Sequence, residues 1–140
     1  MPFGQRPVQM TRREVLAALV VASVPWITGV RPVTAAEGEL SKGTLLLMIE
    51  DRGCPYCAKF DAETRAGYVN SAEGKLAPLV RRHRGDPEIA FIQRVVYSPT
   101  FVLLVNGREV GRTVGYQGSE LFWMEIANLM RKAGLRGTGG

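Results

Sequence analysis

Thr44-Leu45-Leu46-Leu47-Met48-Ile49, then Glu50-Asp51-Arg52-Gly53, then Cys54-Pro55-Tyr56-Cys57 is the stretch on which the reading of the chain turns. The first six residues are a short continuous apolar run, the pattern of a strand buried on both faces, and the charges and glycine after it read as a loop. From Pro55 onward Ala58, Lys59, Phe60, Ala62, Glu63 and Arg65 are acceptable helix formers. Proline is tolerated in a first helical turn, where its missing N–H would have no partner anyway. Two cysteines three residues apart therefore stand where a strand and loop give way to a helix. That position brings the sulfur of Cys54 near free backbone N–H groups and the positive end of the helix dipole, both of which favour its thiolate. Cys57, one turn on, is placed to attack a mixed disulfide formed at Cys54. The spacing thus predicts Cys54 as nucleophile and Cys57 as resolving thiol, with half a metal site or an inert structural disulfide as the other readings of C-x-x-C.

The rest of the composition narrows these readings. The chain has 140 residues, of which 46% are hydrophobic and 22% charged, enough apolar material for one ordinary core. Two cysteines and one histidine fall short of the four ligands of a structural zinc site, and no methionine or histidine sits in the motif to suit copper. No metal and no cofactor beyond the dithiol is expected. The net charge of +5 is concentrated at the N-terminus, where residues 1–36 carry four arginines against one glutamate. Arg81, Arg82 and Arg84 form one short basic run without interleaved aromatics, which reads as a solvated face and not a phosphate track. No nucleic-acid role is expected.

Thr11-Arg12-Arg13-Glu14-Val15-Leu16 opens an apolar stretch over residues 15–30 that leads to Val33-Thr34-Ala35-Ala36. Charged, apolar, then small is the order of a secretory signal peptide, here with a cut expected after Ala35 or Ala36, and the arginine pair suits a twin-arginine export signal. An uncleaved anchor is the alternative, but sixteen apolar residues broken by Pro25 fall short of the roughly 20 needed to span a bilayer. The chain is accordingly divided into a signal over residues 1–36, one folded domain over residues 37–134 and a flexible tail over residues 135–140. Export places the domain where disulfides persist unless something reduces them.

Further along, Ser71-Ala72-Glu73-Gly74 reads as a turn or a single helical turn, and residues 76–84 as a strand. Asp86-Pro87-Glu88 has a capping residue, a first-turn proline and an acid, predicting a short helix over residues 87–93 against a rival strand over residues 89–96. Phe101-Val102-Leu103-Leu104-Val105, Asn106-Gly107 and the seven residues after them predict a β-hairpin with a two-residue turn. Ser119 is expected to cap a helix whose Phe122, Ile126, Leu129 and Met130 recur at helical spacing, with Gly134 just past its end. Strands and helices in this order predict an α/β fold with a mixed central sheet and helices on both faces.

At this point the chain resembles the thioredoxin family, through the CxxC after a strand and through Ser98-Pro99-Thr100 leading into Phe101-Val102-Leu103. The resemblance implies a thioredoxin-like fold and a thiol-disulfide oxidoreductase, with Pro99 as a cis-proline facing the cysteines. Ser98, Pro99, Pro55, Tyr56 and Gly115 would border the substrate, whose extended segment would pair with the backbone beside Pro99. Pro99 also reads as a strand-start proline, Gly115 as a turn glycine, and Tyr56 as ordinary surface. The buried aspartate of thioredoxins falls on Met48 here, so Glu50 or Asp51 would supply the base for Cys57 or else lie in water as loop carboxylates. Within the family the chain is similar to the small periplasmic thioredoxins of bacterial sulfur-oxidation (Sox) systems, the SoxS type, often described as regulatory proteins. Glu73-Gly74-Lys75-Leu76-Ala77-Pro78-Leu79 and Gly107-Arg108-Glu109-Val110-Gly111-Arg112 carry that likeness. It implies a periplasmic, monomeric reductase that keeps the carrier cysteine of a SoxYZ-type complex reduced, with a membrane thiol transporter as electron donor. A general envelope disulfide reductase, a cytochrome c maturation thioredoxin, and a non-catalytic module with a structural disulfide are the alternatives.

Overall fold

The computed structural model describes residues 35–136, and the expected export signal and the last four residues of the expected tail lie outside them, save that Ala35 and Ala36 open the first helix. Eleven segments follow in order. They are α1 (Ala35–Leu40), β1 (Thr44–Glu50), α2 (Pro55–Phe60), a π-helical turn (Asp61–Arg65), α3 (Ala66–Asn70), α4 (Ala72–Leu76), β2 (Leu79–His83), a 3₁₀ turn (Pro87–Ile89), β3 (Thr100–Val105), β4 (Arg108–Val114) and α5 (Ser119–Lys132). The sheet order is β2-β1-β3-β4, with β1 and β2 parallel and the other pairs antiparallel. The α/β fold with a mixed sheet is the one the element order predicted.

β1 and β3 are the central strands, and alternate side chains leave their two faces. Leu46, Met48, Phe101 and Leu103 enter one core with Phe60, Tyr68, Phe122 and Ile126 from the helices. Leu45, Leu47, Ile49, Val102 and Leu104 enter the other with Leu40, Ile89 and Ile92. Two covered faces explain why both strands read as unbroken apolar runs. The edge strand β4 is polar and exposed along Arg108 and Glu109 and carries a bulge, since Leu103 pairs with Gly111 but Leu104 with Glu109.

Several expectations are corrected. The predicted strand over residues 76–84 is shorter, because Leu76 still belongs to α4. The predicted helix over residues 87–93 is only a 3₁₀ turn, and Asp86 does not cap it; its carboxylate accepts from the His83 N–H at 2.7 Å. The rival strand is absent among the described residues. Arg94 has a positive φ of 59°, and the carbonyls of Gln93 and Val96 accept from Arg112 and Arg84 instead of a neighbouring strand. Gly118, not Ser119, occupies the N-cap of α5. Leu135, assigned to the tail, packs against the core, and its N–H bonds to the Met130 carbonyl while that of Gly134 bonds to Arg131, closing the helix with a Schellman motif.

Arg81 and Arg82 are partly exposed and Arg84 is exposed, and all three are ion-paired at this surface. Arg81 binds Glu50 and Asp61, Arg82 binds Glu39 and Glu88, and Arg84 binds Asp51. The parallel register sets Glu50 opposite His83 and Ile49 opposite Arg82, which brings the acidic end of β1 alongside the basic end of β2.

Candidate active site

The cysteine pair sits where β1 hands the chain to α2. Gly53, at φ 71°, turns the loop, and Cys54 takes the N-cap position with extended backbone, so that Pro55 falls in the first helical turn. The sulfur of Cys54 accepts the Cys57 N–H at 3.2 Å. A helix-terminal donor thus points at this sulfur, as the sequence position implied. Cys54 and Cys57 are joined in a disulfide with their Cα atoms 5.3 Å apart. The two sulfurs differ in access. Cys57 is 3% exposed and belongs to the core, whereas Cys54 is partly exposed. An attacking or attacked sulfur from outside meets Cys54 first.

Facing the pair, the Ser98–Pro99 peptide bond is cis and Pro99 is buried. The Pro99 carbonyl accepts the Gly115 N–H at 2.7 Å, which fastens this loop to the end of β4. Gly115 has φ 85° and open space where a Cβ would stand, so the position favours glycine for its backbone and leaves the surface beside Pro99 bare. Tyr56, Tyr97, Ser98, Val114, Gly115 and Gln117 line a cleft of about 490 Å³ there. Tyr56 and Tyr97 are 58% and 67% exposed, an apolar rim next to the disulfide. Pro55, Tyr56, Ser98, Pro99 and Gly115, scattered in sequence, are therefore gathered around the cysteines.

Glu50 and Asp51 are placed differently. Both oxygens of the Glu50 carboxylate accept from Arg81, at 3.1 and 2.6 Å, and the Asp51 carboxylate is held by Arg84. The hydrogen bond from Arg84 keeps Asp51 below the usual carboxylate range, which weakens it as a base. Neither carboxylate bonds a cysteine sulfur. What reaches Cys57 is the Ser98 hydroxyl, 3.4 Å from its sulfur, with the Asp51 backbone N–H donating to that hydroxyl at 2.8 Å. Sequence reasoning placed Ser98 at the substrate and missed this contact. Tyr97 and the anchoring arginines also went unread, though opposite charges at the ends of β1 and β2 were a visible signal for the latter. Among the described residues no group of three or more His, Cys, Asp or Glu side chains is arranged to hold a metal, and no helix is long and apolar enough to cross a membrane.

A strand, a CxxC at a helix start, a cis-proline loop opposite and a β-hairpin followed by a closing helix define a thiol-disulfide oxidoreductase, and the chain belongs to the thioredoxin family. Its structure is similar to that of the periplasmic thioredoxin SoxS from Paracoccus pantotrophus in reduced form, with 41% identity over 64% of this chain and 98% of that one and a TM-score of 0.60. Thioredoxins from Fasciola hepatica (19% identity, 65% of this chain and 85% of that one, TM-score 0.50) and Malassezia sympodialis (17%, 64% and 79%, TM-score 0.50) share the fold alone. No known family model and no curated protein matches the chain.

Proposed function

We propose that the protein is a periplasmic reductase whose Cys54–Cys57 dithiol restores the carrier cysteine of a sulfur-carrier complex of the SoxYZ type. One observation carries the chemistry: a disulfide with one sulfur partly exposed beside an apolar cleft and the other buried behind it. The likeness to the periplasmic SoxS over 98% of that chain supports the compartment and a protein substrate. The reduced Cys54 thiolate attacks the partner's disulfide and forms a mixed disulfide, and the displaced sulfur leaves as a thiolate. Cys57 then attacks Cys54, releasing the partner as a second thiol, so two electrons pass from the dithiol to the partner. A membrane thiol transporter returns them. Tyr56 and Gly115 flank the docked segment, and the main chain beside Pro99, at Ser98, pairs with it as an added strand. Residues 1–36 act as the export signal, Pro55 shapes the helix start, and the domain works as a monomer.

The test is a trap. Cys57→Ser expressed in the native host leaves Cys54 in mixed disulfides, because no resolving thiol remains. Mass spectrometry is expected to recover one sulfur-carrier protein linked through its carrier cysteine. Many unrelated partners would instead indicate a general envelope reductase, and none, with Cys54 still alkylatable, would overturn the reductase assignment.

A further inference from the structure

The resolving sulfur faces a difficulty that its surroundings make plain. Cys57 is buried in the same apolar cluster as Leu46, Met48, Phe60 and Phe101, and apolar burial disfavours a thiolate. The charged and titratable groups on the elements around it are engaged elsewhere. Glu50 of β1 and Asp61 beyond α2 bind Arg81 of β2, Asp51 binds Arg84, Lys59 pairs with Glu63, and the Tyr116 hydroxyl after β4 is bonded to Glu63 and Thr64. Among the described residues no carboxylate bonds the Cys57 sulfur.

Ser98 stands in the gap, and its hydrogen-bond direction can be deduced. In the disulfide the Cys57 sulfur carries no proton, so in the 3.4 Å contact the serine hydroxyl is the donor. The oxygen of that hydroxyl is already the acceptor of the Asp51 N–H at 2.8 Å, which leaves its single hydrogen for the sulfur. The Asp51 end is itself fixed, since Arg84 grips the Asp51 carboxylate and also donates to the Val96 carbonyl at 2.7 Å.

We propose that Ser98 is a catalytic residue of the resolving step, donating a hydrogen bond from its hydroxyl to the Cys57 thiolate and so letting a buried thiol react near neutral pH without a bonded carboxylate. This rests on the reading of Cys57 as the resolving thiol. In the step, the Cys57 S–H gives its proton to water, the thiolate stabilised by Ser98 attacks the Cys54 sulfur, and the bond from Cys54 to the partner sulfur breaks. The electron pair leaves on the partner, which is reduced, as the Cys54–Cys57 bond forms.

The experiment mixes the reduced protein with 5,5′-dithiobis(2-nitrobenzoate) and follows thionitrobenzoate release by stopped flow across pH 5–10. The first equivalent reports attack by Cys54 and the second reports attack by Cys57 on the mixed disulfide. The Ser98→Ala chain is expected to complete the first phase, which shows it folded and reactive. Its second phase is expected to slow about tenfold at pH 7, with the pH midpoint about one unit higher and the rates converging with wild type at high pH. Ser98→Thr, which keeps the hydroxyl, is expected to restore the wild-type profile. A Ser98→Ala profile that superimposes on wild type, or one slowed equally at every pH, would overturn the proposal. If the wild type itself releases one equivalent only, as Cys57→Ser must, the reading of Cys57 fails instead.

Discussion

Tyr68 shows what one side chain contributes to this fold. Its ring is fully buried between Phe122 and Trp123, with centroids 5.8 and 5.9 Å away, and its hydroxyl donates to the Ala77 carbonyl at 2.6 Å. Burial, with a smaller contribution from Glu73, pushes the hydroxyl well above the ordinary phenol range near 10. An acid that keeps its proton longer in the folded chain than in the unfolded one adds stability below about pH 10, and that contribution is lost as pH rises further. Tyr68→Phe is therefore expected to cost about 1–3 kcal/mol at neutral pH, because it leaves the Ala77 carbonyl unsatisfied. Its stability should then decline less steeply than wild type above about pH 10. Denaturant titrations at about pH 7 and about pH 11 check both halves; parallel declines would mean that Tyr68 is not the group responsible. The same local logic separates the two cysteines, one capped by an N–H at a partly open helix start and the other buried against a hydroxyl.

Elements meet where backbones approach closely, and α4 depends on one such approach. Ser71 ends α3 and caps α4 by accepting the Gly74 N–H at 2.9 Å, so the chain reverses within a few residues. A Cβ on Gly74 would lie 2.0 Å from the Tyr68 carbonyl oxygen, a main-chain atom that cannot swing aside. Gly74→Ala is expected to lower stability by about 1–3 kcal/mol through forced separation of α3 and α4, read as a lower denaturant midpoint with unchanged slope. A midpoint equal to wild type would show that the two helices part at no cost. The hairpin is held by complementary means. Asn106 and Gly107 both take positive φ in its two-residue turn, and the Asn106 N–H and side-chain oxygen bond the backbone of Gly43 before β1.

Across the molecule, the site is assembled from three separate connections: the loop after β1, the irregular segment before β3 and the end of β4. The second has no strand or long helix of its own. Two guanidinium groups hold it, Arg84 through the carbonyls of Val95 and Val96 and Arg112 through those of Gln93 and Arg94. Exposed ion pairs and hydrogen bonds of this type add little to global stability, but they order a segment that lacks other partners. Arg84→Ala is expected to leave the denaturant midpoint essentially unchanged while amide exchange over residues 93–98 speeds up. Mass-resolved hydrogen exchange measures it, and unchanged protection there would show that Arg112 and the packing of Ile89 and Ile92 hold the segment without Arg84.

Most of the secondary structure and the chemistry of the cysteine pair could be read directly from the chain, because those features are local. An apolar run, a proline after a cysteine and an Asn-Gly between two strands each act over a few residues, and β1, α2, the hairpin and α5 formed where their patterns stand. Residues 87–96 were misjudged because their conformation answers to distant arginines and not to their own propensities. The burial of Cys57, the cleft beside Tyr56 and Gly115, and the contact of Ser98 with the Cys57 sulfur joined residues more than forty positions apart. Folding decided these, since strand register and side-chain direction determine which groups meet across a sheet, and it spent Glu50 and Asp51 on arginines while leaving the serine hydroxyl to face the sulfur.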